Sequence, residues 1–151
     1  LDVSPKGEEP GFIKILDHHT LAFPDRPGNN RIDGLSNIVE TGRIGLIFLV
    51  PGVRETLRVN GTARITTDPA LMDGLLAQGK RPRTVTVIKV EEVFMHCSRA
   101  LIRSRLWDPE AQIDRSQLPS MGTIMAAHTN GLVDSCEYDE QLPKRVQTDL
   151  Y

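Results

Sequence analysis

The chain has 151 residues, 39% hydrophobic and 25% charged, which suits one globular domain with a core of its own. A net charge of −2 and an aromatic content of 5% argue against a generic nucleic-acid or acidic-membrane binder and against an aromatic base-stacking platform. No stretch is long and apolar enough to span a bilayer as a helix.

The sequence opens on Leu1-Asp2-Val3-Ser4-Pro5, which reads as the interior of something longer, so an N-terminal segment is expected ahead of residues 1–151. Ser4-Pro5-Lys6-Gly7 is a polar turn. Residues 12–16 alternate as a strand, Asp17 to Thr20 form a turn, and Leu21 to Phe23 return as a strand. After Arg31 the period changes: Ile32, Leu35, Ile38 and Val39 share a helical face, and Gly42 is placed to end the helix. Ile44 to Val50 is an apolar run expected to be a buried strand, bounded by Pro51-Gly52. Glu55 to Thr67 alternates cleanly, with Leu57, Val59, Gly61, Ala63 and Ile65 on one face and Arg58, Asn60, Thr62 and Arg64 on the other. Asp68-Pro69 starts a helix that Gly79 is expected to stop. Thr84 to His96 is the longest β-type run. Ser98 is expected to cap a helix reaching about Leu106, residues 110–119 read as a polar connection, and Ser120 to His128 as another short helix. The polar tail is expected to hold one helical turn near 144–150.

Strands joined by a Pro-Gly turn pair antiparallel, which excludes a doubly wound parallel sheet. The expected class is α+β, mainly β: one domain over 1–151, built as an antiparallel, closed or half-closed barrel with helices at its ends.

The stretch Pro24-Asp25-Arg26-Pro27-Gly28-Asn29-Asn30-Arg31 joins a strand to a helix. Asn29 or Asn30 can cap that helix with a side-chain oxygen, leaving first-turn amides and the helix dipole to face an anion. Arg26 and Arg31 can add bidentate contacts to a phosphate. An ordinary capped turn with solvated arginines uses the same residues, and spacing leaves both readings open. Arg99 and Arg103, four apart behind Ser98, form either a second anion contact or a basic surface helix. His96 and Cys97 are neighbours at a strand end and point to opposite faces, so they cannot pair as base and nucleophile. His18 and His19 sit in a turn, and no metal-ligand spacing, Walker loop or GxSxG motif occurs. Cys97 and Cys136 form no CxxC pair, which favours a reducing, cytoplasmic setting. Trp107 reads as a packing residue. With no general acid or base in view, the reactive chemistry of an enzyme built on this chain belongs to a cofactor.

These stretches resemble the pyridoxamine 5'-phosphate oxidase-like flavoproteins. The resemblance rests on Thr20 to Phe23, Pro24 to Arg31, Ile38 to Phe48 and Glu55 to Gly61, and covers most of residues 2–128. Within that superfamily the chain is similar to a bacterial subgroup carrying PDRPGNNR, VPGxxETLRVNG and HCxxALxRSRLWD, here Pro24 to Arg31, Val50 to Gly61 and His96 to Asp108. The resemblance implies a split β-barrel that binds FMN at a homodimer interface. It assigns Asn30 and Arg31 to the phosphate segment, with Asn29 and Arg26 beside them, and Pro24 and Asp25 to the strand end whose backbone meets the flavin ring. Lys14 corresponds to a lysine near the phosphate or ring. Thr56 falls where a glutamine reaches the ring from the partner subunit, and Ser98 and Arg99 match a polar pair approaching the cofactor. The tail, Gln-Thr-Asp-Leu-Tyr, differs from the Arg-Leu-Ala-Pro type ending of the vitamin B6 oxidases, so the substrate stays unassigned. The implied activity is an FMN-dependent oxidoreductase taking hydride at the flavin, with a nicotinamide reductant or a small-molecule substrate. The alternative is a flavin- or haem-binding split-barrel module without turnover, in sensing or storage. An oligonucleotide-binding barrel is the weakest reading, on charge and aromatic content.

Overall fold

The period-two segments all become strands in the computed structural model, which describes residues 2–28 and 31–148. Strands β1 (Lys14–Asp17), β2 (Thr20–Asp25), β3 (Arg43–Phe48), β4 (Thr56–Thr66) and β5 (Thr84–His96) form one sheet in the order β1-β2-β5-β4-β3. Every pairing is antiparallel. At the β1–β2 turn the Asp17 Oδ1 accepts the His19 amide at 2.7 Å. That bond, then the Thr20 hydroxyl, holds the Asp17 carboxyl below its ordinary value. β5 is central: its first half pairs with β2 and its whole length with β4. The β4–β5 register slips between Asn60 and Gly61, and a Cβ on Gly61 would run into the Lys89 carbonyl oxygen, so the bulge needs glycine there.

The alternation read in β4 is followed at Val59 and Gly61, which are buried, and at Arg64, which is exposed, while Leu57, Arg58, Asn60, Thr62, Ala63 and Ile65 are all half-buried. One sheet face near the start of β5 packs Ala22, Val85 and Val87 against Leu75, Leu71 and Met72. The last three belong to α2 (Pro69–Asp73) and the turn after it. Asp68 caps α2 by accepting the Leu71 amide at 3.0 Å. Gly74, not Gly79, ends α2, five residues earlier than expected, and Gly79 instead takes a positive φ in the turn bridged by Ala77 and Lys80. The run Ile44 to Val50 is not buried. β3 is an edge strand whose residues alternate between half-buried and exposed, with Ile47 58% exposed. Helix α1 (Asp33–Thr41) ends at Gly42 in the left-handed conformation, as expected, but of its apolar face only Ile38 is buried, while Val39 is exposed.

Contacts divide the chain into two compact units, one ending at Trp107 and one beginning at Asp108. In the first, α3 (Arg99–Ser104) is shorter than expected, and Trp107 donates its indole N–H to the Val53 carbonyl at 2.8 Å. In the second, two short 3-10 turns lead to α4 (Met121–His128), which Ser120 caps, and to α5 (Ser135–Thr148). The tail is therefore a 14-residue helix rather than one turn. Its polar composition and Pro143 hide it in the sequence. Asp134 caps it through the Glu137 amide at 2.8 Å, and it packs on α4. Among the described residues no helix is long and apolar enough to cross a membrane. No cluster of three or more metal-ligating side chains occurs among them either.

Candidate functional site

The loop that follows β2 is tied down at its base. The Arg83 amide donates to the Asp25 carbonyl at 3.0 Å. Arg26 then lays its guanidinium on the Glu8 carboxylate, Nε to Oε1 at 2.8 Å and Nη2 to Oε2 at 3.1 Å, with side chains only 12% and 9% exposed. The same guanidinium donates to the carbonyls of Leu75 at 2.6 Å and Lys80 at 3.3 Å. The bidentate partner expected to be an anion is thus the chain's own Glu8. Glu8 was invisible to sequence reasoning, because no local pattern joins residues 8 and 26.

Asn29 and Asn30 lie outside the described residues. The structure nevertheless corrects the expected cap: α1 begins at Asp33, its cap position is Ile32, and that residue makes no side-chain cap bond. Asp33 stands in the first turn of α1, whose leading backbone amides have no partner within the helix itself. Arg31 stands at this end, its Nε 3.3 Å from Asp33 Oδ2, both side chains exposed. It lines a concavity of about 460 Å³ together with Asp2, Asp33, Ser36, Asn37 and Glu40. Three carboxylates there give no general positive field, so an anion at this place depends on directed donors.

Pro24 is buried and pairs with Val85, and Asp25 pairs with Thr84 at the very start of β5. Lys14 is exposed on β1, in register with Ala22. The remaining candidates are elsewhere. Thr56 pairs with His96 at the far end of β5, and Ser98 and Arg99 follow just beyond. Along a 13-residue strand that separation is about 40 Å. One chain therefore brings together Pro24, Asp25, Arg26 and Arg31, with Lys14 on the neighbouring strand, and keeps Thr56, Ser98 and Arg99 apart from them. Thr56 is 3% exposed, buried within the single chain. Ser98 occupies the cap position of α3 but makes no side-chain cap bond, because its backbone is already helical at φ −70° and ψ −10°. Arg99 and Arg103 are exposed one turn apart, as expected.

Beside the loop base, the Thr84 and Thr86 hydroxyl oxygens are buried without a hydrogen-bond partner among the described residues. Thr84 is in register with Asp25, so an unpartnered hydroxyl sits at the strand end that opens the loop. The pairing of the two strands places it there, and the sequence alternation alone gave no reason to single it out.

An antiparallel five-stranded sheet with two free edges, a helix entered through a proline- and glycine-rich loop, and no metal-binding cluster among the described residues define an α+β split-barrel protein. The chain belongs to the pyridoxamine 5'-phosphate oxidase family, whose model matches residues 2–97. No curated protein matches it. Among solved structures it is similar to HupZ of Group A Streptococcus, at 29% identity and a TM-score of 0.45 over 56% of this chain and 68% of that one. The H111A variant of HupZ gives the same identity and score over 73% of its length. A candidate pyridoxamine 5'-phosphate oxidase from Lactobacillus delbrueckii matches at 25% identity and a TM-score of 0.41, over 56% of this chain and 68% of that one.

Proposed function

We propose that this protein is an FMN-binding flavoprotein with oxidoreductase activity, acting as a homodimer with the cofactor between subunits. The observation that carries the reading is the junction of β2 and α1 inside the family-matched region: a loop tied at its base, a helix start whose cap position is the apolar Ile32, and Arg31 beside it. This donor set fits the phosphate end of the flavin. First-turn amides and Arg31 would hold the phosphate. The backbone of Pro24 and Asp25 would face the ring, and Thr84 Oγ1 offers a donor at the same strand end. Lys14 would stand nearby on β1. Ser98 and Arg99, about 40 Å away in the same chain, can reach this place only from a second copy. Exposed apolar residues support that copy: Val93 and Met95 on β5 are 57% and 64% exposed beside the buried Val59.

Bound FMN supplies hydride acceptance. The chain's part is to bind and orient it. The electron donor would be a nicotinamide or a small reduced substrate. The three motifs in order further favour the bacterial subgroup named above.

The experiment is a visible spectrum of the purified protein and a fluorescence titration with FMN, followed by anaerobic reduction with NADH or NADPH and reoxidation in air. Binding with turnover is the expected outcome. Uptake of FMN without reduction would leave a passive binder, and a colourless protein that takes up no FMN would sink the reading. Arg31→Ala is expected to weaken FMN binding by roughly 1.5–3 kcal/mol, the cost of a lost charged hydrogen bond.

A further inference from the structure

We infer that Arg26 is a positioning residue for the cofactor loop, not a ligand of the cofactor, and that Glu8 is its working partner. The inference rests on the flavin reading above and deepens it. Arg26 is the first residue after β2, in a loop whose other arginine, Arg31, lies exposed at the helix start. The two have opposite environments. Arg31 is on the surface, its Nε beside the Asp33 carboxylate. Arg26 is mostly buried and joins three distant segments: Glu8 in the N-terminal stretch, Leu75 just after α2, and Lys80 in the following turn.

That turn is itself braced. Arg81 holds Asp73 of α2 through Nε at 2.5 Å and Nη2 at 2.8 Å. The carbonyls that Arg26 reaches therefore sit on a fixed frame. A planar guanidinium whose N–H groups point at a carboxylate and two carbonyls defines both the position and the tilt of its own backbone. Through Pro27 that orientation passes into the loop leading to Arg31. A phosphate approaching Arg26 would have to displace Glu8 from a mostly buried pair, leaving a carboxylate without its cation. Arg26 thus sets the path of the loop, and the anion is met by Arg31 and the start of α1.

The sign of one substitution separates the two roles. Glu8→Gln removes the charge that engages Arg26 and preserves the shape of the side chain. If Arg26 bound phosphate, the loss of its competitor would leave FMN affinity unchanged or raise it. As a positioning residue, Arg26 loses its anchor, and FMN binding weakens by about tenfold or more as the loop loses preorganisation. Titration of FMN into wild type, Glu8→Gln and Arg26→Lys is read by flavin fluorescence. Amide hydrogen exchange of residues 26–35 is measured without FMN. The expected result is faster exchange at the loop and weaker FMN binding in both variants, although Arg26→Lys keeps the positive charge. Adding Glu8→Gln to Arg31→Ala should cost less than the sum of the two, because both act on one phosphate contact. Equal or tighter FMN binding by Glu8→Gln overturns the inference, as does a lowered melting temperature with unchanged loop exchange and unchanged FMN affinity. A wild-type protein that binds no FMN overturns the flavin reading itself, and the positioning role falls with it.

Discussion

At Thr86 a fully buried hydroxyl lies in register between Phe23 and Ile65 with no hydrogen-bond partner among the described residues. Leaving such a group unsatisfied costs roughly 1–3 kcal/mol, whereas an apolar side chain of the same shape carries no such penalty. Thr86→Val keeps the β-branched shape that suits a central strand. It is expected to raise the urea midpoint, with a gain of about 1 kcal/mol and an unchanged slope. A lower midpoint would mean that the hydroxyl has a partner in solution. Single residues were the least legible level of this chain. Asn29 and Asn30 look like caps by composition, yet the cap position is Ile32 and α1 begins at Asp33. Arg26 and Arg31 look alike in sequence and differ in the fold because residue 8 meets only one of them.

Elements were more legible, since strand period and helix punctuation are local. β5 was read to its exact bounds and Ser120 as the start of a helix, whereas α5 was reduced to a turn. Its stabilisation is tertiary. The Gly122 amide in α4 donates to Asp139 Oδ1 of α5 at 2.7 Å, and a Cβ on Gly122 would collide with the Ser135 carbonyl oxygen and come within 2.8 Å of the Asp139 carboxyl carbon. Gly122→Ala is therefore expected to push the two helices apart and destabilise this unit by about 1–3 kcal/mol, seen as loss of helical signal at lower temperature. The Ser120 hydroxyl first, then the Gly122 amide, hold the Asp139 carboxyl below its ordinary value of 3.8. A depressed folded value means that the unfolded chain takes up the proton first. The contribution is present above pH 3.8 and is lost as pH falls through the lower folded value. Asp139→Asn keeps the acceptor and removes the charge. Its melting temperature should lie below that of wild type at neutral pH, and the gap should close as the pH drops below that ordinary value. A gap that stays constant down to strongly acidic pH would show that the charge contributes nothing.

For the whole molecule, alternating patterns specify the sheet, so the antiparallel architecture could be read from the sequence. Whether residues at the two ends of β5 serve one site could not be, because a linear pattern does not say which chain would supply each of them. Pro24 to Arg31 and the pair Ser98–Arg99 lie about 40 Å apart along one strand, far beyond the reach of one flavin. If both contact FMN, each site of a two-fold dimer takes its loop from one copy and its Arg99 from the other. Mixed dimers make this testable. Arg31→Ala and Arg99→Ala are each expected to bind FMN weakly when pure. In a dimer of one copy of each, one site combines both defects, and the other combines an intact loop with an intact Arg99. Unfolding and refolding the two variants together at equal amounts makes about half of all dimers mixed, so about a quarter of all sites should regain wild-type affinity. Titration of the mixture with FMN would show this as a distinct tight fraction. If Arg99 served the loop of its own chain, every site in the mixture would lack one arginine and no tight fraction would appear. If Arg99 has no part in the site, Arg99→Ala alone would bind FMN as wild type does, and the exposed Val93 and Met95 would have to be explained by a surface other than the flavin interface.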